Sequence, residues 1–214
     1  MRLVGRPSEA EIAIVVGDGS SDFPRIERAL ERHNDNYCDV SVYLPTRSKD
    51  GKGQVQGPAI GVVGVFRHIK SATIRHPPRN FVIFIDREHL WEAENRGLGV
   101  EGYVSEKAKE HGINVMSVTR LSDSTYRVCG KVGSKGFLAY FIFVGNCCIE
   151  DLTLRACGKE VEEIKGPGCC KRYKEALRKL PWDERKRCEY IAEGVLFQEF
   201  SKALDDFRKS PCIN

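Results

Sequence analysis

Two short runs of uninterrupted apolar residues, at positions 12–16 and 81–85, constrain the fold more than any other feature of the chain. Each has the length of a strand, and a strand that is apolar at every position must be covered on both faces. Each run also leads directly into acidic residues, GDGSSD after the first and DRE after the second. Because open α/β sheets hold ligands beyond the carboxyl ends of parallel strands, we predict a site where these two strands end.

Strand-like and helix-like segments alternate along the first half of the chain. After the strand at 12–16, the patterns predict a helix at 23–33, a strand at 38–44, a helix at 58–76, the strand at 81–85, a helix at 101–111 and a strand at 113–118. Segments 125–129 and 137–144 then flank a basic, glycine-rich stretch, which predicts a β-hairpin. A short helix at 149–157 and two helices at 171–180 and 183–209 follow.

This order predicts an α/β protein with a mostly parallel sheet, helices on both faces, a β-hairpin and a helical C-terminal extension. We place the α/β domain at residues 1–157 and the extension, packed on it, at residues 158–214. The last helix carries an apolar stripe that should dock on the sheet or form a homodimer contact. The stripe consists of Leu196, Phe197, Phe200, Leu204 and Phe207.

Composition narrows the class of protein. Charged residues make up 30% of the 214 residues, and the formal net charge is only +4. No apolar stretch approaches the ~20 residues of a membrane span, and the first residues lack the features of a signal peptide. We therefore expect a cytoplasmic protein without a membrane partner.

The acidic turns carry a resemblance to a known family. Asp18-Gly19-Ser20-Ser21-Asp22 after an apolar strand resembles the first motif of TOPRIM domains, and Asp86-Arg87-Glu88 resembles the second. Glu150-Asp151 looks like the acidic pair of small TOPRIM-like proteins related to the OLD nucleases. The resemblance covers residues 11–152 and implies Mg²⁺-dependent chemistry on the phosphodiesters of DNA or RNA. The family's first Glu is Asp18 here, and the final Asp of its second motif is Glu88.

The chemistry of the acids agrees with a metal site. Mg²⁺ and Mn²⁺ take hard oxygen ligands, and a bound cation relieves the repulsion between converging carboxylates. We therefore expect Asp18, Asp86 and Glu88 to be the catalytic metal ligands, with Glu150 as a further ligand. The alternative is that Asp18 forms only an Asx-turn and that Glu150 only complements a helix dipole.

Phosphate contacts are expected from two places. Ser20 and Ser21 offer hydroxyl and backbone N–H groups at a helix start, where Asp22 is the predicted N-cap. Lys131 and Lys135 lie at the predicted hairpin tip and could reach phosphate if that loop rises beside the acids. The basic run between residues 165 and 187 is either a surface that follows a phosphate backbone or a solvated helix face.

Nine cysteines are a high number for a chain of this length. Five lie within 24 residues, at positions 147, 148, 157, 169 and 170, without the paired C-x₂-C spacing of structural zinc. We expect buried free thiols, or a disulfide from Cys157 to Cys169 or Cys170, and no structural zinc.

The sequence thus predicts a Mg²⁺-dependent protein that acts on nucleic acid, with nuclease activity as the specific hypothesis. Two alternatives stay open. One is a non-catalytic interaction protein with the same fold. The other is a small-molecule phosphotransfer enzyme or phosphatase that uses the same acids.

Overall fold

The computed structural model describes residues 1–17, 22–32, 39–44, 61–75, 79–160, 162–164, 166 and 168–209. Within these ranges the strands are β1 (Arg2–Val4), β2 (Ile12–Val16), β3 (Ser41–Tyr43), β4 (Asn80–Asp86), β5 (Asn114–Arg120), β6 (Thr125–Val132) and β7 (Lys135–Val144). They form one sheet in the order β1-β3-β2-β4-β7-β6-β5. The α-helices are α1 (Phe23–Arg32), α2 (Gly61–Arg75), α3 (Trp91–Asn95), α4 (Val100–Glu110), α5 (Ile149–Ala156), α6 (Cys169–Lys179) and α7 (Trp182–Lys209).

The sheet is mostly parallel, as predicted. The pairs β1–β3, β3–β2, β2–β4 and β4–β7 are parallel, whereas β7–β6 and β6–β5 are antiparallel. The strand after α4, β5, lies at the sheet edge, antiparallel to β6, and is mostly exposed. The place beside β4 belongs to β7, whose residues from Phe137 to Val144 are all buried.

Helices cover both faces of the sheet. Ile12, Ile14 and Val16 face one core with α1 and α7, whereas Ala13 and Val15 face a second core with α2 and α4. Successive strand side chains point to opposite faces, so a strand between two cores is apolar throughout. This explains the two uninterrupted apolar runs.

The apolar stripe of α7 docks on the sheet. Leu196, Phe200 and Leu204 are buried in the core that contains β2 and β4. At its far end, Asp206 accepts a 2.9 Å hydrogen bond from the hydroxyl of Tyr140 and pairs with Arg127. Burial and the hydrogen bond to Asp206 raise the pKa of Tyr140. Of the two predicted uses of the stripe, docking on the sheet is therefore the one observed.

The predicted hairpin is confirmed, but its tip is shorter than expected. Strands β6 and β7 extend to Val132 and from Lys135, so only residues 133 and 134 form the turn, with Gly133 at φ +58°. Most of the basic stretch that was predicted to be a loop is therefore strand.

A third, smaller core lies at the carboxyl edge of the sheet. It packs α5 against α6 and contains Cys147, Cys148, Cys169 and Cys170. None of the helices within the described ranges is long and apolar enough to cross a membrane.

Candidate metal centre

Asp86 is the last residue of β4 and is 97% buried, with 3% of its surface exposed. Its Oδ1 accepts a 3.0 Å hydrogen bond from the backbone N–H of Ile149, the first residue of α5. The first N–H groups of a helix have no partner within the helix, and a negative charge there is favourable. Asp86 therefore caps α5 from a neighbouring strand, and this contact fixes the direction of its carboxylate.

A tight turn between β7 and α5 places two cysteines next to Asp86. Gly145 has φ +67°, and a Cβ there would lie 2.4 Å from the carbonyl oxygen of Cys148. Oδ2 of Asp151 accepts N–H groups from Asn146 at 2.6 Å and Cys147 at 3.3 Å. Asp151, the second member of the predicted acidic pair, thus organises this turn.

Helix α6 brings a second pair of cysteines to the same point. Cys169 forms a disulfide with Cys147, and the neighbouring Cys148 and Cys170 are buried free thiols. One ligand atom from each of Asp86, Cys148 and Cys170 lies within 4.8 Å of the others. The pKa of the Cys148 thiol is raised by its hydrogen bond with Cys170, by burial and by the charge of Asp86.

Glu88 lies beside this cluster, next to the disulfide. Its backbone N–H donates to the carbonyl of Cys147 at 2.8 Å, and its Oε2 is 3.8 Å from Sγ of Cys169. The intervening Arg87 pairs with Glu94. Asp86 and Glu88 therefore both lie at the site, whereas Arg87 between them has its ion-pair partner in α3.

Glu150 has partners of its own. Its Oε1 lies 3.3 Å from Nη1 of Arg25, and its Oε2 is 3.4 Å from Sγ of Cys170. Lys174 adds positive charge. Burial lowers its pKa, but the charges of Glu150, Cys170 and Asp22 outweigh burial, so the pKa is raised.

Basic side chains line two clefts beside the cluster. A cleft of about 390 Å³ contains Glu88, Cys170, Lys171, Lys174 and Arg178 among its lining residues. A second cleft, of about 310 Å³, contains Arg25, Glu150, Lys174, Arg178 and Arg185. Both clefts share Lys174 and Arg178, so α6 presents a positively charged surface next to the acids. We call this surface the α6 groove.

The structure separates the predicted site residues into three groups. Asp86, Glu88 and Glu150 lie around the two cysteine pairs at the carboxyl edge of the sheet, with Asp86 beside Cys148 and Cys170, Glu88 beside Cys169 and Glu150 beside Cys170. Asp18, Ser20 and Ser21 lie outside the described residues.

Lys131 and Lys135 form the third group, because they lie at the other end of the sheet. Residues from Asn80 to Asp86 in β4 pair with residues from Leu138 to Val144 in β7, so Lys135 lies beyond the amino end of β4. Its Nζ donates to the carbonyl of Ile74. The hairpin turn points away from the edge that carries the acids, so the condition under which these lysines were expected to contact phosphate there is not met.

Sequence reasoning missed the convergence of two thiols with Asp86. It also paired the wrong cysteines, since Cys157 bonds to Cys188 on α7 and Cys169 bonds to Cys147. The signal was the repeated pair of adjacent cysteines, 147–148 and 169–170. Two such pairs can form one bridge and leave one thiol each at the same place.

No known protein family, curated protein or solved structure matches this chain. The geometry of the site is therefore the basis for functional inference.

Proposed function

We propose that this chain is a divalent-metal-dependent protein that acts on the phosphodiesters of nucleic acid, with nuclease activity as the specific hypothesis. The observation that carries the proposal is the pairing of β2 with β4. They are adjacent and parallel, with Val16 opposite Phe84. The acidic segment that follows β2 in the sequence and the acids at the end of β4 therefore belong to neighbouring strands that end at the same sheet edge.

The residues at this edge fit a metal ion in part. Asp86 and Glu88 supply the oxygen donors that Mg²⁺ or Mn²⁺ requires, and Asp18 is the third expected ligand. Glu150 is better suited to an outer role, because Arg25 and Cys170 already contact its carboxylate. The sulfur atoms beside Asp86 do not suit Mg²⁺, which favours hard oxygen ligands.

The α6 groove supports the choice of a polyanionic substrate. Lys174, Arg178 and Arg25 provide positive charge beside the half-buried carboxylate of Glu88 and the buried carboxylate of Glu150. Lysine and arginine neutralise phosphates and release their counterions, which is the main source of non-specific affinity for nucleic acid. A strand in this groove would lie with a phosphate next to Glu88, which lines the first cleft.

In this arrangement each residue has a simple task. Lys174 and Arg178 would bind phosphate oxygens and Asp86 and Glu88 would hold the ion, while Arg25 holds Glu150. When bound, a divalent ion supplies Lewis-acid stabilisation of the phosphoryl oxygens and lowers the pKa of a water molecule.

The test compares cleavage and binding for matched variants. Wild-type protein should cleave single- or double-stranded DNA or RNA with Mg²⁺ or Mn²⁺, and Asp86→Asn should reduce cleavage by orders of magnitude. Lys174→Gln should weaken binding and make the negative slope of log affinity against log salt less steep by about one. Lys131→Gln removes the same charge at the opposite end of the sheet and should change neither quantity.

Three results would change the proposal. Absence of divalent-dependent cleavage would rule out the nuclease hypothesis and favour a non-catalytic interaction protein. Absence of binding at ~100 mM salt, where a phosphate-binding surface still registers, would rule out nucleic acid as the ligand. Equal effects of Lys174→Gln and Lys131→Gln would rule out the α6 groove.

A further inference from the structure

Asp86, Cys148 and Cys170 form a compact set of buried metal-ligating groups. Their ligand atoms lie within 4.8 Å of one another, and each residue is at least nine-tenths buried. Around a tetrahedral zinc ion, with Zn–S of ~2.3 Å and Zn–O of ~2.0 Å, ligand atoms are roughly 3.5–4 Å apart. The observed separation therefore requires only a small contraction around an ion.

We propose that Cys148, Cys170 and Asp86 bind a thiophilic divalent cation, of which Zn²⁺ is the chemical type. On binding, both thiols lose their protons to solvent, and two thiolates and one carboxylate coordinate the ion. Three protein ligands leave a fourth position for water or another ligand, as in zinc sites that carry out chemistry. This proposal replaces the sequence-based expectation that the cysteines hold no zinc.

Contacts around the three ligands hold them in place before an ion arrives. The N–H of Ile149 orients the Asp86 carboxylate, and the Cys147–Cys169 disulfide holds the residues adjacent to Cys148 and Cys170. Outer partners of this kind orient metal ligands and tune the affinity of the site. The site is therefore preorganised by one backbone hydrogen bond and one covalent bridge.

Charge and access also agree with a cation. The Glu150 carboxylate is 3.4 Å from the Cys170 sulfur and can pass the proton that this thiol loses on to solvent. Cys170 is also the ligand that lines the 390 Å³ cleft, which gives an ion access to the site, and the carboxylates of Glu88 and Glu175 there offset part of the positive charge of the basic side chains. A soft ion matches this donor set because thiolates select zinc over Mg²⁺.

The inference does not depend on nuclease activity, because metal binding can be measured directly. Metal-free protein, prepared under argon without reductant so that Cys147–Cys169 stays intact, is titrated with Co²⁺ and then with Zn²⁺. We expect thiolate-to-cobalt charge-transfer absorption at one equivalent, displaced by Zn²⁺. Cys148→Ser and Cys170→Ser should each lower the affinity for Co²⁺ by at least roughly a hundredfold, because each removes a direct ligand and a hundredfold is the upper end of the loss caused by removing an outer partner.

Matched variants define the site. Asp86→Asn should retain the charge-transfer absorption with weaker affinity, because both thiolates remain. The double variant Cys157→Ser/Cys188→Ser removes a disulfide outside the site, and Glu110→Gln removes an exposed acid at the end of α4. Both should bind Co²⁺ like the wild type.

Wild-type protein provides a readout that no folding defect can obscure. X-ray absorption of the zinc-loaded protein should show two sulfur neighbours and at least one oxygen neighbour. A sulfur-free coordination shell, the absence of charge-transfer absorption in the wild type, or wild-type affinity and absorption intensity in both single serine variants would overturn the proposal. Mass spectrometry that finds Cys148 bonded to Cys170 in the unreduced protein would do the same.

Discussion

The backbone N–H of Ile149 donates a 3.0 Å hydrogen bond to Oδ1 of Asp86. This bond joins the carboxyl end of β4 to the amino end of α5, across 63 positions of sequence. It gives Asp86 a structural task in addition to any role in metal binding, and the two tasks can be separated by substitution.

Asp86→Asn and Asp86→Ala should differ in stability. The amide oxygen of Asn can still accept the Ile149 N–H, so Asp86→Asn should preserve most of the stability. Alanine leaves that N–H buried and unsatisfied, which costs about 1–3 kcal/mol. Urea unfolding of both variants measures the difference, and equal stabilities would show that the contact does not support α5.

The Cys157–Cys188 disulfide should stabilise the packing of α7 against α5. It closes a separation of 31 residues, for which chain entropy predicts a stabilisation of about 3–4 kcal/mol. Cys157→Ser/Cys188→Ser should lose this amount in denaturant unfolding without reductant. With reductant the wild type loses the same bridge, so the difference should nearly vanish; a difference that reductant leaves unchanged would have another cause.

Glu199 should make stability depend on pH in the acid range. Burial raises its pKa, but hydrogen bonds from Lys202, Ser124, Thr125 and Ser122 outweigh burial and lower the pKa from 4.5 to about 2. A carboxylate with a depressed folded-state pKa stabilises the protein above pH 4.5, and this contribution is lost as pH falls from 4.5 towards 2.

The comparison of wild type with Glu199→Gln tests this dependence. Their difference in unfolding free energy should be constant above pH 5 and should shrink between pH 4.5 and 2. Thr125→Val removes a hydroxyl group that donates a 2.7 Å hydrogen bond to Glu199, so the folded-state pKa of Glu199 should rise. The pH range over which the stability difference shrinks should therefore become narrower. A difference that is independent of pH would refute the assignment to Glu199.

Phe200 should contribute strongly to the docking of α7. It is fully buried in the core beside β2 and β4, and it stacks on Phe84 with ring centroids 6.3 Å apart. Phe200→Ala should therefore cost about 3–5 kcal/mol. Trp182→Ala, at an exposed position of the same helix, is the matched control and should change the melting temperature little. Similar losses in the two variants would argue against this packing.

The sequence predicted the layers well because their pattern is local. A strand covered on both faces must be apolar at each position. The burial of residues 12–16 and 81–85 can therefore be predicted from these residues alone, without knowing which elements pack on them. The same holds for the stripe of Leu196, Phe200 and Leu204, since helical spacing alone aligns these side chains. Asp86 could be placed at a strand end for the same reason.

Strand order and cysteine pairing depended on residues distant in sequence. The sequence of residues 113–118 does not indicate that β5 runs antiparallel at the edge of the sheet, or that β7 takes the position beside β4. Likewise, Lys135 is next to a turn in any hairpin, but only the register of β7 on β4 decides which edge of the sheet it occupies.

At the site, too, some features could be predicted from local sequence and others depended on tertiary structure. The sequence by itself determined that an acid ends a buried strand and that cysteines occur as two adjacent pairs. Only the tertiary structure decided that Cys147 bonds to Cys169 and that Cys148 and Cys170 meet beside Asp86. The physical reason is that α5 and α6 converge through the small core at the carboxyl edge, and packing of that kind is set by the whole chain rather than by local spacing.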